Sequence, residues 1–432
     1  KKLHYLFVES QNDPTNDPVI LWLNGGPGCS SMLGWAQEHG PAVFKPFSTE
    51  WELNEYSWNK NANVIYLESP AGVGFSTIDS HDIMDWETDD ETSAEQNLDA
   101  VLDFFKRYPD FKRNDFYVAG ESYGGIYVPY LASKINKYNE SAPEVDKVML
   151  KGILVGNGVT DWTVDTTPGL VDFAYTHGIY SKELRTQYEK NCEEDPSGNE
   201  CLYTLDRIYA SFETINIYDI YRDCITVDSA AKDAKANFFK SFKKETKKKT
   251  PFLYTPWVFN KNPKDLNENL KFKEDSKFNE VDVGITPPCT DAVGPNYFFN
   301  SKEVKEALYV PTNIQWEMCE GKVSAHYHIG EKGSIFLYED LIKSGIKIMK
   351  YSGDTDAAVP FTGTRKWIYN LNLETLKKWR SWKVNDDEIA GYVVNYKGLT
   401  FVTVKGTGHM VPQWKKKEAF YMLTQFLNGK DL

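Results

Sequence analysis

The pentapeptide Gly120-Glu121-Ser122-Tyr123-Gly124 sets a serine between two glycines, after the apolar run Phe116-Tyr117-Val118 and directly ahead of a helical pattern. A serine hydroxyl attacks a carbonyl only when a base takes its proton, and small residues two positions either side let the chain turn sharply enough to project it. The base must be a histidine held in one tautomer by a carboxylate, and in a strand-turn-helix elbow the chain order is serine, acid, histidine. Of the seven histidines, His409 in VKGTGHMVP follows a late apolar run and sits in a glycine-rich loop. His81, His177, His326 and His328 lie in polar segments without that setting. YSGDTDAAVP supplies two acids in the required order, Asp354 and Asp356, and spacing does not choose between them. A tetrahedral intermediate also needs backbone N–H donors that a substrate can approach closely. The loop WLNGGPGCSS suits that need, with Gly26 as one donor and Tyr123, the residue after the serine, as the other.

These residues have to be carried by something that ends its strands together. PVILWLNGG (18–26), ANVIYLESP (62–70), DFYVAGES (115–122), KGILVGNG (151–158), GIKIMKYSGD (345–354) and LTFVTVKGTGH (399–409) are short apolar runs ending in Gly, Ser, Asp, Asn or His. An open parallel sheet places its ligand-binding loops at such carboxyl ends. Between two of the runs, TSAEQNLDAVLDFFKRYP (92–109) opens on a capping box from Thr92 to Glu95 and lines up Leu98, Val101, Leu102 and Phe105 before Pro109 stops it. Alternating strands and helices of this length predict an α/β doubly wound, mostly parallel sheet. The alternation fails in the middle of the chain, so residues 1–160 and 336–432 are read as the core and 161–335 as an inserted, largely helical cap. Within it, residues 240–250 carry six lysines in the first ten positions, a solvated loop or a cleavage site for a maturing protease.

With 432 residues, 41% hydrophobic and 26% charged, the composition is that of a globular chain. A net charge of -13 argues against a nucleic-acid partner, which calls for a basic face. No apolar run reaches the roughly 20 residues of a membrane span. The opening KKLHYLFVES reads as a strand rather than as a targeting segment. Six cysteines without Cys-x-x-Cys pairs give no zinc signature, and no metal or cofactor is expected. The sequon Asn139-Glu140-Ser141 marks Asn139 as a candidate glycosylation site and points to the secretory route.

WLNGGPGCSS, ESPAGVGFS, GESYGGIYVP, VGNG, SGDTD and GTGHMVP together resemble the serine carboxypeptidases. The resemblance runs from Lys1 to the C-terminus and is weakest across 160–335. It implies an α/β-hydrolase fold and an enzyme that removes C-terminal residues from peptides through an acyl-enzyme. By its pattern Ser122 is the nucleophile, His409 the base and Asp356 the acid, with Gly26 and Tyr123 as the oxyanion hole. Asn24, Gly25, Glu38 and Glu121 match the positions that hold the substrate's terminal carboxylate, and Met410 stands where it would favour an apolar leaving residue. The pairings implied are Cys29–Cys319, Cys192–Cys201 and Cys224–Cys289. Two glutamates beside a substrate carboxylate cannot all ionise cheaply, so a shared proton, a raised apparent pKa and activity strongest in acid are expected. A lysosomal, vacuolar or secreted location, a homodimer and partner hydrolases belong to the same expectation. Acyl transfer to an alcohol and a protective, binding role toward other hydrolases are the alternatives.

Overall fold

The computed structural model describes residues 1–80, 82–192, 195–224, 287, 289–385 and 388–432. The lysine-rich stretch 240–250 lies outside them, as does His81. Among the described residues nine strands form one sheet: β1 (His4–Val8), β2 (Val19–Leu23), β3 (Asn63–Glu68), β4 (Phe116–Glu121), β5 (Leu150–Gly156), β6 (Lys347–Gly353), β7 (Thr375–Lys383), β8 (Ile389–Tyr396) and β9 (Leu399–Val404). Their order is β1-β3-β2-β4-β5-β6-β9-β8-β7. The inner six pair in parallel, while β1 at one edge and β8 and β7 at the other run antiparallel. All six apolar runs are the parallel strands, and KKLHYLFVES supplies β1.

Because strand side chains alternate, a strand covered on both faces must be apolar throughout, as VILWL is. Val19, Leu21 and Leu23 face one hydrophobic cluster with Val101 and Phe104 of helix α1 (Asp90–Arg107) and Ile126 of helix α2 (Gly124–Ser141). Ile20 and Trp22 face the other, closed by Met422, Leu423 and Phe426 of the C-terminal helix Lys416–Leu427. Helix α1 starts two residues before the expected capping box. Its cap is Asp89, whose carboxylate accepts the Thr92 N–H at 2.7 Å, a charged acceptor that leaves Thr92 inside the first turn. The hairpin β7–β8 is an addition to the expected strands: TLKKWRSWK is an exposed, strongly basic edge strand, while IAGYVVNY buries Val393 and Val394 in the two clusters.

Between β5 and β6 the chain leaves the sheet. Helices α3 (Thr167–Thr176), α4 (Lys182–Cys192) and α5 (Asn199–Ala210) build a cluster of their own around Leu170, Phe173, Leu184, Leu205 and Ile208. Disulfide Cys192–Cys201 joins α4 to α5, Cys224–Cys289 ties the two described ends that flank residues 225–286, and Cys29–Cys319 fastens the returning segment to the loop after β2.

Candidate active site

The elbow is set by strand β4 running into helix α2 through two residues, Ser122 at φ 61° and Tyr123. A non-glycine residue there stores about 1–3 kcal/mol of strain, which its surroundings must hold. They do so through the Ser122 N–H bonded to the Gly156 carbonyl at 3.1 Å, and the Ser122 carbonyl accepting from Gly125 N at 3.0 Å and Val159 N at 3.1 Å. Two glycines are required by space: a Cβ at Gly120 would lie 2.5 Å from the Leu23 carbonyl oxygen, and one at Gly125 2.0 Å from that of Val159. The loop after β2 presses on the same turn, since a Cβ at Gly25 would come within 2.4 Å of the Tyr123 nitrogen and 2.7 Å of the Ser122 Cβ.

His409 follows β9 and Asp356 follows β6, neighbouring parallel strands whose carboxyl ends therefore lie side by side. The His409 Nδ1 is 2.8 Å from Asp356 Oδ2. A carboxylate only accepts, so Nδ1 carries the proton and Nε2 is left as the basic nitrogen. Asp356 is fully buried and held by three further donors: Asn157 Nδ2 at 2.8 Å, Ala358 N at 2.8 Å and Val359 N at 3.1 Å. Asp354, the other acid left open by spacing, accepts the Gly406 N–H at 2.7 Å and so ties down the loop leading to His409. The His409 N–H is bonded to the Tyr218 carbonyl at 2.7 Å, and the Tyr218 ring meets the imidazole edge-on at 5.3 Å.

Beside the elbow, Asn24 bridges two buried acids. Its Nδ2 donates to Glu38 Oε1 at 3.1 Å and to Glu121 Oε1 at 3.0 Å. Its Oδ1 is fixed by Trp22 Nε1 at 2.7 Å and Gly34 N at 3.1 Å, which settles which end of the amide faces the acids. Glu38 and Glu121 are 2% and 5% exposed. Burial raises the Glu38 carboxyl to about 7, against the lowering effect of bonds from Asn24 and Glu121. Burial, then the charge of Glu38, pushes Glu121 well above the ordinary glutamate range. The Asn24 amide reaches only the Oε1 atoms, and each Oε2 lies buried without a hydrogen-bond partner among the described residues.

Asn24, Gly25, Gly26, Glu38, Glu121, Ser122, His409 and Met410 all line one cavity of about 590 Å³, with Asp356 behind the imidazole. Tyr123 presents its nitrogen beside Gly25 and turns its phenol away. Asn139 sits in the last turn of α2, half-buried, where its side chain pairs with both backbone groups of Val148 at 2.8 and 2.9 Å. Asn157, Tyr218 and Trp22 were not singled out from the sequence. The signal for Asn157 was its place in VGNG at the carboxyl end of a strand; Tyr218 had none, lying in the poorly patterned middle. Among the described residues no group of His, Cys, Asp and Glu is arranged to hold a metal ion, and no helix is long and apolar enough to cross a membrane.

The family described as serine carboxypeptidase matches residues 1–429. The chain is 36% identical to the lysosomal protective protein of Mus musculus, over 99% of this chain and 88% of the relative. It is 35% identical to serine carboxypeptidase-like 20 of Arabidopsis thaliana, over 100% and 88%, and 34% identical to serine carboxypeptidase 1 of Hordeum vulgare, over 100% and 87%. A solved structure, the prohormone-processing carboxypeptidase KEX1(delta)P of Saccharomyces cerevisiae, shares the fold with a TM-score of 0.71 at 23% identity, over 99% of this chain and 87% of that one. On an α/β-hydrolase fold carried from β1 to the last helix, the chain belongs to the serine carboxypeptidase family.

Proposed function

We propose that Ser122, His409 and Asp356 form the catalytic triad of this carboxypeptidase. Ser122 Oγ attacks the last peptide carbonyl while His409 Nε2 takes its proton. The oxyanion forms against the Gly26 and Tyr123 N–H groups, and Asp356 stabilises the imidazolium. On collapse the C–N bond breaks, and the proton on Nε2 passes to the leaving amine as the C-terminal amino acid departs. Water, activated by His409, then hydrolyses the ester and restores Ser122. Asn24, Gly25, Glu38 and Glu121 receive the terminal carboxylate, and Met410 contacts the leaving residue. A neutral glutamate pair donates hydrogen bonds to that carboxylate and an ionised one repels it, so the activity is highest in acid.

The observation that carries this reading is the single cavity shared by the Asn24–Glu38–Glu121 cluster, Ser122 and His409. An ordinary esterase needs the triad but not Asn24, Glu38 and Glu121 together. The disulfides and the likeness to a lysosomal protective protein support a secretory-route protein of lysosome, vacuole or extracellular space, with N-glycosylation at Asn139, a homodimer and stabilised partner hydrolases as parts of the proposal. The test is turnover of N-blocked dipeptides with free or amidated C-termini, with and without a serine-phosphonylating reagent. Ser122→Ala is expected to abolish turnover and labelling. Labelling of another residue, or equal use of free and amidated substrates at pH 5, refutes the proposal.

A further inference from the structure

Asp90, the first residue of helix α1, is 4% exposed and lies outside the cavity just described. Its acceptors are met by donors from two other parts of the chain rather than by a cation. Oδ1 accepts from the Tyr123 phenol at 2.8 Å and from the Tyr327 phenol at 2.8 Å, and Oδ2 accepts from Gly330 N at 2.9 Å. The Tyr123 ring is packed edge-on between Tyr127, at 5.1 Å, and Tyr327, at 5.4 Å. A buried carboxylate is expensive, and burial raises the Asp90 pKa while the two phenols and the Gly330 N–H oppose that rise. A helix N-cap alone does not explain it, because Asp89 already caps α1.

What Asp90 grips is the residue that follows the nucleophile. Tyr123 sits where the strained turn at Ser122 passes into helix α2, so its backbone has one end in a conformation that relaxes readily if released. An N–H donor aimed at an oxyanion has to be held in place before the charge develops. From these contacts we propose that Asp90 is a positioning residue for the oxyanion hole, acting through the Tyr123 phenol to fix the Tyr123 N–H, and that Tyr327 and Gly330 anchor Asp90 to the segment returning to the core. The inference rests on the reading of Ser122 as nucleophile and Tyr123 N–H as oxyanion donor. Tyr327 donates to the same acceptor oxygen and its hydroxyl also meets the Tyr123 phenol, but it lies far from the oxyanion turn in sequence and reaches that turn through the Asp90 and Tyr123 side chains.

The experiment compares the parent with Asp90→Ala, Tyr123→Phe and Tyr327→Phe. Each is measured for kcat and KM on a blocked dipeptide, and for inhibition by a peptide aldehyde, which forms a tetrahedral adduct, and by the free C-terminal amino acid, which does not. Complete loss of an oxyanion donor costs about 100- to 1000-fold in kcat; a displaced donor is expected to cost about 10- to 100-fold. Asp90→Ala and Tyr123→Phe should lower kcat by that factor and weaken the aldehyde in step, leave KM and inhibition by the amino acid within about twofold, and show no further loss when combined. Tyr327→Phe, which removes one of the donors anchoring Asp90 but leaves the Tyr123 phenol bonded to it, should lower kcat by less than Tyr123→Phe does. A folded Asp90→Ala or Tyr123→Phe with parental kcat and aldehyde affinity overturns the proposal, as does a kcat loss in Tyr327→Phe equal to that in Tyr123→Phe. Phosphonylation separates the two readings: a parent not labelled at Ser122 removes the underlying assignment, whereas a labelled parent with an unaffected Tyr123→Phe removes only this inference.

Discussion

Replacing Glu38 and Glu121 by glutamine tests the acid pair directly. Raising Glu38 from 4.5 to about 7 favours its neutral form by about 3 kcal/mol, at about 1.4 kcal/mol per pH unit, and burial pushes Glu121 up as well. Below pH 7 the pair is neutral and donates to a substrate carboxylate. Above it the pair gains a negative charge in a site where water does not screen it. The ratio of kcat/KM for a free-acid dipeptide to that for its amide is therefore expected to be flat from pH 4 to 6 and to fall up to about tenfold per unit above pH 7. In Glu38→Gln/Glu121→Gln the charge cannot form, and the ratio should stay flat to pH 8. The amide substrate cancels changes in the triad, which affect both substrates alike. Stability supplies a second reading with its own sign. Between 4.5 and about 7 the folded protein binds more protons than the unfolded chain, so stability falls as pH rises through that window and is lower above it. The double variant should lose that slope in urea unfolding. A parent ratio that is level across pH 7, or a double variant that keeps the parental fall, would refute the argument.

Asn157→Ala removes one of the donors to Asp356 and is expected to lower kcat/KM about 10- to 100-fold, in proportion to one hydrogen bond to a charged acceptor, with KM little changed in steady-state assays. Lys350 is fully buried and bonds the Gly158 carbonyl at 2.8 Å and Thr160 Oγ1 at 3.0 Å; burial pushes the carboxyl of buried Asp165 up to about 7, and the charge of Lys350 opposes that rise. Lys350→Met should cost about 3–5 kcal/mol in denaturant unfolding, and adding Asp165→Asn should recover part of it; no loss in the single variant would contradict the pairing. A tryptic cut among the lysines of 240–250 should leave one band on a non-reducing gel and two after reduction, because Cys29–Cys319 and Cys224–Cys289 both span the cut.

Strands buried on both faces announce themselves, and that is why the six parallel strands could be read from runs such as VILWL and NVIYLE. The edge strand Thr375–Lys383 could not be, since solvent covers most of it and its residues answer to water rather than to a core, whereas its partner IAGYVVNY buries Val393 and Val394 in the two core clusters and is missing from the runs expected from the sequence. The same division runs through the site. A serine flanked by glycines, and a histidine in a glycine-rich loop after a strand, carry local signatures because the tight turns themselves demand glycine. The acid does not: Asp354 and Asp356 stand two residues apart after β6, and only the turn between them decides which meets the imidazole and which meets Gly406. Resemblance to the family chose Asp356, and periodicity had no means to. Asp90 was equally silent, one acid among several at the start of a helix, made distinct only by the phenol of a residue 33 positions on.

The step from hydrolase to carboxypeptidase has a simple geometric source. Strands β2 and β4 are parallel neighbours with Leu23 opposite Gly120, so the residues that follow them, Asn24 and Glu121, meet. One residue beyond Glu121 is Ser122, and two beyond Asn24 is Gly26. Part of the proposed clamp, Asn24 and Glu121, and part of the proposed apparatus for attacking a carbonyl, Gly26 and Ser122, are thus built on the same two chain segments. An extended peptide advances by about 3.3 Å per residue. A clamp set one or two residues along from the nucleophile leaves room for a single amino acid between the anchored terminus and the reacting carbonyl. Cutting one residue at a time then follows from register. Because the clamp is buried on the same strand ends, the desolvation that gives it a proton to donate also excludes an internal peptide, which has no terminal carboxylate with which to occupy it.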